Sequence, residues 1–282
     1  MAEPVRRHRR PAFGLAFVIS AVTHIARLAR AGLVFAREGV FGVIDPSLVP
    51  PPAQVLIRLA RLVERPGAKG GTRLSRALTR LGPAYLKLGQ FLPTRPDVVG
   101  VAMARDLENL QDRLPPFSQA EAEAAVAQSL EKPIAQAFAS FGPSVAAASI
   151  AQVHRGEVVR DGVRKSVAIK VLRPNVGSRF RRDLGDFFFV ARKAEAYSAE
   201  ARRLRLIEVI NTMSRSVAME MDLRLEAAAM SEMAENTRDD PDFRVPVVDW
   251  DRTTHNVLTM EWIDGIALND HVRLAQAQVD LP

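Results

Sequence analysis

The stretch that most constrains this fold is residues 145–174, VAAASIAQVHRGEVVRDGVRKSVAIKVLRP. Apolar residues alternate along 150–159 and again along 166–172, and the polar, glycine-containing RDGVRK joins the two runs. That pattern predicts antiparallel strands closed by a turn. A shorter strand is expected near 137–141, and two more at 243–249 (FRVPVVD) and 255–263 (HNVLTMEWI). Helical periodicity occupies most of what remains: a block over 55–135, then 175–198 and 202–236. Helices, three strands, two helices and two strands predict an α+β chain with an antiparallel sheet.

Within the helical block, QVLIRLARLVER sets Val55, Leu56, Leu59, Leu62 and Val63 on one face. Gly82-Pro83 breaks one helix and AYLKLGQFL restarts it; residues 101–114 and 118–130 predict two more. DPSLVPPP at 45–52 is a linker, and PGAKGG at 66–71 is a loop without the order of a Walker A motif. The expected segments are 1–50, basic and amphipathic; 51–135, helical; 136–265, centred on the sheet; and 266–282 beyond it.

Charge narrows the partners. The formal net charge is +7, yet residues 1–80 hold 14 Arg or Lys against 4 Asp or Glu, so the remainder is net acidic. An anionic partner for the N-terminal quarter follows, and charge alone admits membrane headgroups, nucleic acid or acidic proteins. RRHRR precedes PAFGLAFVISAV, an apolar run too short to span a bilayer. His24, Arg27, Arg30 and Arg37 then interrupt it, which predicts an amphipathic helix lying on a membrane or on the protein body. The alternative is a basic tail followed by a packing helix. No recognition pattern accompanies the charge, so nucleic acid is not expected. The chain has no cysteine, which excludes a disulfide scaffold, thiolate metal sites and cysteine catalysis.

Three groups of polar residues are candidates for chemistry. Along VAIKVL, Ala168, Lys170 and Leu172 share one face while Val167, Ile169 and Val171 form an apolar face that must be covered. Taken alone, a strand lysine is ordinarily a solvated edge residue. EMDLRLE sets Asp222 and Glu226 on one helix face, with Glu220 about 200° around the axis from Asp222. The two can meet one ligand only if the helix begins or distorts there. The motif is either a solvated acidic face beside Arg224, or a site in which Glu226 holds Lys170 while Glu220 and Asp222 face a ligand, a metal or a second lysine. In KLGQ, Lys87 and Gln90 share a face of an otherwise apolar helix, which spacing alone reads as its wet side.

Taken in order, these pieces resemble the UbiB family of atypical, protein-kinase-like proteins, from about residue 55 onward. LGPAYLKLGQFLPTRPDVV resembles its KxGQ segment through Lys87, Gly89 and Gln90, and AAASIAQVHRG resembles its alanine-rich nucleotide loop. VAIK supplies Lys170, EMDLRLEAAAM resembles the ExD motif, and TMEWIDG resembles the kinase hinge. The resemblance implies a kinase-like N-lobe, its sheet flanked by an αC-like helix, behind a helical extension. It also implies bound ATP or ADP with Mg²⁺, with no metal ligand expected in this chain.

In that reading Lys170 anchors the nucleotide and Glu226 holds the lysine. The loop side of the site comprises Ala146, Ala147, Ala148, Ser149, Ile150, Ala151, Gln152 and Val153. Ala168 and Met260 join it, with backbone groups of Glu261 and Ile263 meeting the adenine. Lys87, Gln90, Glu220 and Asp222 are the implied catalytic or regulatory set. Implied partners are proteins or lipid intermediates of ubiquinone biosynthesis at an anionic membrane, on the cytoplasmic side of a bacterial inner membrane. HRD-like and DFG residues belong beyond the hinge and do not occur in 264–282. GDFFF at 185–189 precedes the αC-like helix and is no substitute. The expected chain is therefore a helical extension plus N-lobe without the C-lobe, with negligible ATP hydrolysis on its own. The alternative is a non-catalytic module that binds nucleotide, lipid or partner.

Overall fold

The computed structural model describes residues 13–42, 51–65, 72–108, 110, 114–266, 268 and 270–277. The RRHRR segment, residues 45–50 of the linker and the PGAKGG loop lie outside the described residues. The chain forms α1 (Phe13–Arg37), α2 (Pro51–Leu62), α3 (Thr72–Leu81), α4 (Pro83–Phe91), α5 (Pro96–Val99) and α6 (Val101–Glu108). Then come α7 (Gln119–Leu130), α8 (Ile134–Ala137), β1 (Ser140–Ala147), β2 (Ala151–Arg160) and β3 (Val163–Leu172). α9 (Val176–Tyr197), α10 (Ala199–Leu204), α11 (Leu206–Glu220) and α12 (Leu223–Asn236) follow, then β4 (Val257–Glu261) and α13 (His271–Gln276). This is the expected α+β arrangement.

The sheet is antiparallel in the order β1-β2-β3-β4. Asp161 and Gly162 close the β2–β3 hairpin at φ 53 and φ 74, as a two-residue turn with both centres left-handed requires. The first strand runs over 140–147, later than expected, and takes in Ala146 and Ala147. Residues 243–249 form no strand, only an isolated bridge between Val248 and Met260. Pro246 in the middle of that segment has no N–H to enter a ladder. The predicted helix over 202–236 is divided into parts, and that over 101–114 is helical through Glu108.

Contacts group the chain into two units. One comprises residues 1–113 and 175–217, the other 114–174 and 218–282, so α7 belongs with the sheet and α9 with the N-terminal helices. The sequence segmentation instead sets its boundary at 135.

In the sheet unit, the apolar face of β3 is covered as required. Val167, Ile169 and Val171 pack with Val126 of α7, Phe138, Val158 and Val257 in one buried cluster. α7 is launched by a capping box, in which Ser118 Oγ accepts from Glu121 N and Glu121 Oε2 accepts from Ser118 N.

In the helical unit, α4 packs on α3 and α9, and α1 packs on α3 and α9. Gly82 at φ 107 and Pro83 turn the chain from α3 into α4. His24 and Arg27 of α1 bind Asp186, a buried residue of α9, so the charges that interrupt the apolar run pair within the unit. Burial would push the Asp186 carboxyl up; hydrogen bonds from Arg27 and His24 overcome this and hold it below its usual range. The aspartate of GDFFF is thus a packing anchor. Among the described residues no helix is long and apolar enough to cross a membrane.

Candidate functional site

Sheet register assembles the site. Across the strands, Ala146 lies opposite Val153, Val153 opposite Lys170, and Lys170 opposite Leu258. The next row is Arg155, Ala168 and Met260. Directly paired residues share a sheet face, so Ala146, Val153, Arg155, Ala168, Lys170, Leu258 and Met260 lie on one surface. It is the face opposite the one packed by α7. Val153 and Leu258 flank the lysine, and Ala146 and Ala168 are the small residues on its face.

Glu226 reaches this face from the first turn of α12. Lys170 Nζ donates to both of its carboxylate oxygens, at 2.8 and 2.7 Å, with the two side chains 26% and 40% exposed. The pair is therefore formed while still open to solvent. Its placement depends on where α12 begins. Asp222 adopts an extended backbone (φ −115, ψ 94) and caps the helix by accepting from Arg224 N. Leu223 N donates to the His255 carbonyl at the approach to β4, tying the helix start to the sheet.

The break at 221–222 is the distortion that an ExD pair needs to escape the 200° separation. Even so, the Asp222 carboxylate is gripped by Arg224 Nε and Nη2 at 2.9 and 2.7 Å. That guanidinium holds its pKa down at about 2. Glu220 ends α11 as an exposed residue.

The alanine-rich segment is a tight β1–β2 connection. Ala148 N donates to the Ala151 carbonyl at 2.8 Å, and no residue from 146 to 153 has positive φ. The turn thus makes no demand for glycine, and alanine is accommodated without strain. Ser149, Ile150, Ala151 and Gln152 are all buried. Ala147 and Gln152 lie in the row of Val171 and Val257, on the face packed by α7. The Gln152 amide accepts from Phe117 N at 2.9 Å and lies 2.9 Å from His154 Nε2. Of the predicted loop set, the structure brings Ala146 and Val153 to the face of Lys170 and commits the Gln152 side chain to the interior.

Two features escaped the sequence reading. Arg173 Nη2 donates to the carbonyls of Ala148 and Pro115 at 2.9 and 2.8 Å, and Arg173 N donates to the Ile150 carbonyl. It staples the alanine turn from behind, and only its position after a predicted strand could have flagged it. Gly142 and Gly156 permit close approach of β1 and β2: a Cβ at either would sit 2.7 Å from a carbonyl oxygen of the other strand.

At the hinge-like end, Glu261 N donates to the Val247 carbonyl and its side chain binds Arg244. The Glu261 N–H is therefore committed within the protein. Ile263 follows as an exposed residue.

Lys87 and Gln90 belong to the helical unit, half-buried on α4. Gly89 between them packs closely: a Cβ there would lie 2.5 Å from Leu78 Cδ1 and 2.7 Å from Leu110 Cδ2, so these side-chain ends would have to shift. The same unit holds an apolar cavity of about 550 Å³ lined by residues including Phe35, Tyr85, Leu88, Phe187 and Ile210.

Residues 109–282 match the family model described as the ABC1 atypical kinase-like domain. A protein named "Probable protein kinase UbiB" from Marinobacter nauticus is 37% identical over 263 residues, covering 92% of this chain and 48% of that protein. Its namesake from Cellvibrio japonicus is 37% identical over 256 residues, covering 90% and 46%. The chain spans about half the length of these curated relatives. With a kinase-like sheet, the lysine–glutamate pair and these matches together, the chain belongs to the UbiB family of ABC1 atypical kinase-like proteins.

Proposed function

We propose that this chain forms the nucleotide-binding part of an atypical kinase-like accessory protein of ubiquinone biosynthesis, peripheral to the cytoplasmic side of a bacterial inner membrane. The observation that carries the nucleotide reading is Lys170, held by both oxygens of Glu226 on an open sheet face lined by Ala146, Val153, Ala168 and Met260. An ammonium fixed on a face that also carries Ala146 and Ala168 suits the phosphates of ATP or ADP, and the Glu261 and Ile263 backbone suits the purine. When bound with the nucleotide, Mg²⁺ would supply charge neutralisation at the phosphates. Lys170 would orient those phosphates, Glu226 would orient Lys170, and Arg173 would keep the alanine turn in place above them. Lys87, Gln90, Glu220 and Asp222 are the residues we propose as governing what the bound nucleotide can do. The apolar cavity in the helical unit suits the hydrocarbon part of a lipid intermediate.

Calorimetry of Mg-ATP and Mg-ADP with the 282-residue chain tests this reading. Saturable binding that falls at least tenfold in Lys170→Ala is the expected result. Binding unchanged by that substitution, or no binding by the wild-type chain, would overturn it.

The bidentate Arg224–Asp222 pair favours a second reading, in which the protein binds nucleotide without turnover and organises partners. An aspartate so engaged is a helix cap before it is a metal ligand. Phosphate release that depends on Mg²⁺ and disappears in Asp222→Asn would exclude this alternative.

A further inference from the structure

The helical unit presents a surface that the nucleotide site does not use. Val55, Leu59, Leu62 and Val63 recur at i, i+4, i+7 and i+8 along α2 and its exit turn, and they are 55, 55, 80 and 44% exposed. Such a stripe, about 100° wide, is the side of an amphipathic helix ordinarily covered. On the opposite side Ile57 packs inward at 7% exposure. The sequence pattern groups the aliphatic residues on one face; the structure turns that face outward.

Two residues past the stripe, Arg65 enters a concavity of about 370 Å³ lined also by Glu38, Ser75, Arg76, Thr79 and Arg80. Glu38, just beyond α1, is buried and uses one oxygen on each of two guanidiniums: Arg80 Nη1 at 3.1 Å and Arg76 Nε at 3.2 Å. Arg73, which donates to the carbonyl of Gly39 next to Glu38, is balanced by Glu64 at 2.7 Å. One carboxylate among Arg65, Arg76 and Arg80 leaves the concavity positive. A guanidinium carries five N–H donors in a fork that matches phosphate oxygens, and Glu38 engages only a small share of them.

An aliphatic stripe followed two residues on by an arginine that lines a basic hollow matches an anionic lipid surface in both of its chemistries. Leucine and valine suit the headgroup–acyl boundary, and arginine suits phosphodiester. A soluble phosphate ester accounts for the hollow but leaves the stripe without a partner. A partner helix accounts for the stripe but not for the surplus of arginine. We propose that α2 and the Arg65–Arg76–Arg80 concavity form the docking surface for an anionic phospholipid bilayer. This gives the membrane part of the function proposed above a location and rests on that part; it does not depend on the nucleotide site.

Co-sedimentation of the chain with phosphatidylglycerol-containing and pure phosphatidylcholine vesicles tests it, beside Leu59→Ser/Leu62→Ser, Arg65→Gln and Lys170→Ala. All the varied surface side chains are exposed, so thermal melts should match wild type. Expected are binding that requires the anionic lipid and weakens with salt, a loss of about fivefold or more in each surface variant, and no loss in Lys170→Ala. Wild-type binding that both surface variants retain would overturn this location while leaving membrane association standing. No binding to any vesicle would overturn both, and nucleotide titration of the same samples would show whether the sheet reading survives. Inorganic phosphate bound calorimetrically and lost in Arg65→Gln, without vesicle binding, would make the concavity a soluble-anion site and overturn the bilayer assignment.

Discussion

Lys170 and Glu226 illustrate how little a functional ion pair need contribute to stability. Both side chains are partly exposed, and such pairs are worth about 0–1 kcal/mol. Lys170→Ala should therefore fold normally, and a loss of nucleotide affinity in it reports on the site. Asp222 behaves differently because it also caps α12. Its folded pKa, about 2, lies below the ordinary carboxylate value of 3.8, so the charge contributes stability above about pH 4 that disappears as pH falls toward 2. Asp222→Asn keeps a competent cap but loses the Arg224 charge pair. Thermal melts should show it less stable than wild type at pH 6 by a fraction of a kcal/mol up to about 1, with the gap closing near pH 2. A gap unchanged with pH would mean that the Arg224 pair does not form in solution. Among these residues, Lys170 was legible because strand alternation isolates it from Val167, Ile169 and Val171. Its pairing with Glu226, across 56 residues, leaves no periodic signal; the residues alone admit it beside a solvated acidic face, and the family motif favours it. Arg173 was illegible because it acts on backbone carbonyls, which carry no residue identity.

At the scale of elements, periodicity assigned the classes well and missed interruptions that tertiary contacts impose. The helix over 202–236 breaks before Asp222 without glycine or proline; the aspartate cap and the Leu223–His255 bond make the break. The FRVPVVD segment reads as strand by composition, but its proline prevents a ladder, leaving one bridge. Gly89 in α4 carries a further test of packing. Alanine there gains about 1 kcal/mol of helix propensity, roughly offsetting the displacement of Leu78 and Leu110 by one Cβ. Valine adds two more carbons and a β-branch in the same space, so Gly89→Val should lose about 2–3 kcal/mol while Gly89→Ala stays within about 1 of wild type. Urea unfolding of both variants measures this. Equal stability of the valine variant would mean that α4 does not approach Leu78 as closely as the structure has it.

At the scale of the molecule, the two units divide the properties that the sequence mixes. Most of the positive charge, the outward aliphatic stripe and the apolar cavity belong to the helical unit, while the lysine–glutamate pair belongs to the sheet unit. The two proposed ligands are thus assigned to different units, and single substitutions in one unit should leave the ligand proposed for the other bound. Turnover is a further matter. Phosphoryl transfer in kinases needs a catalytic aspartate and an aspartate that holds Mg²⁺, both beyond the hinge, and residues 264–282 contain neither an HRD-like nor a DFG sequence. These 282 residues should bind Mg-ATP yet release phosphate no faster than a Lys170→Ala control in a coupled assay. Release well above that control would place the chemistry among the carboxylates already present. Glu220 and Asp222 would then be the first to replace, and the Arg224 grip on Asp222 would have to open for a metal to enter.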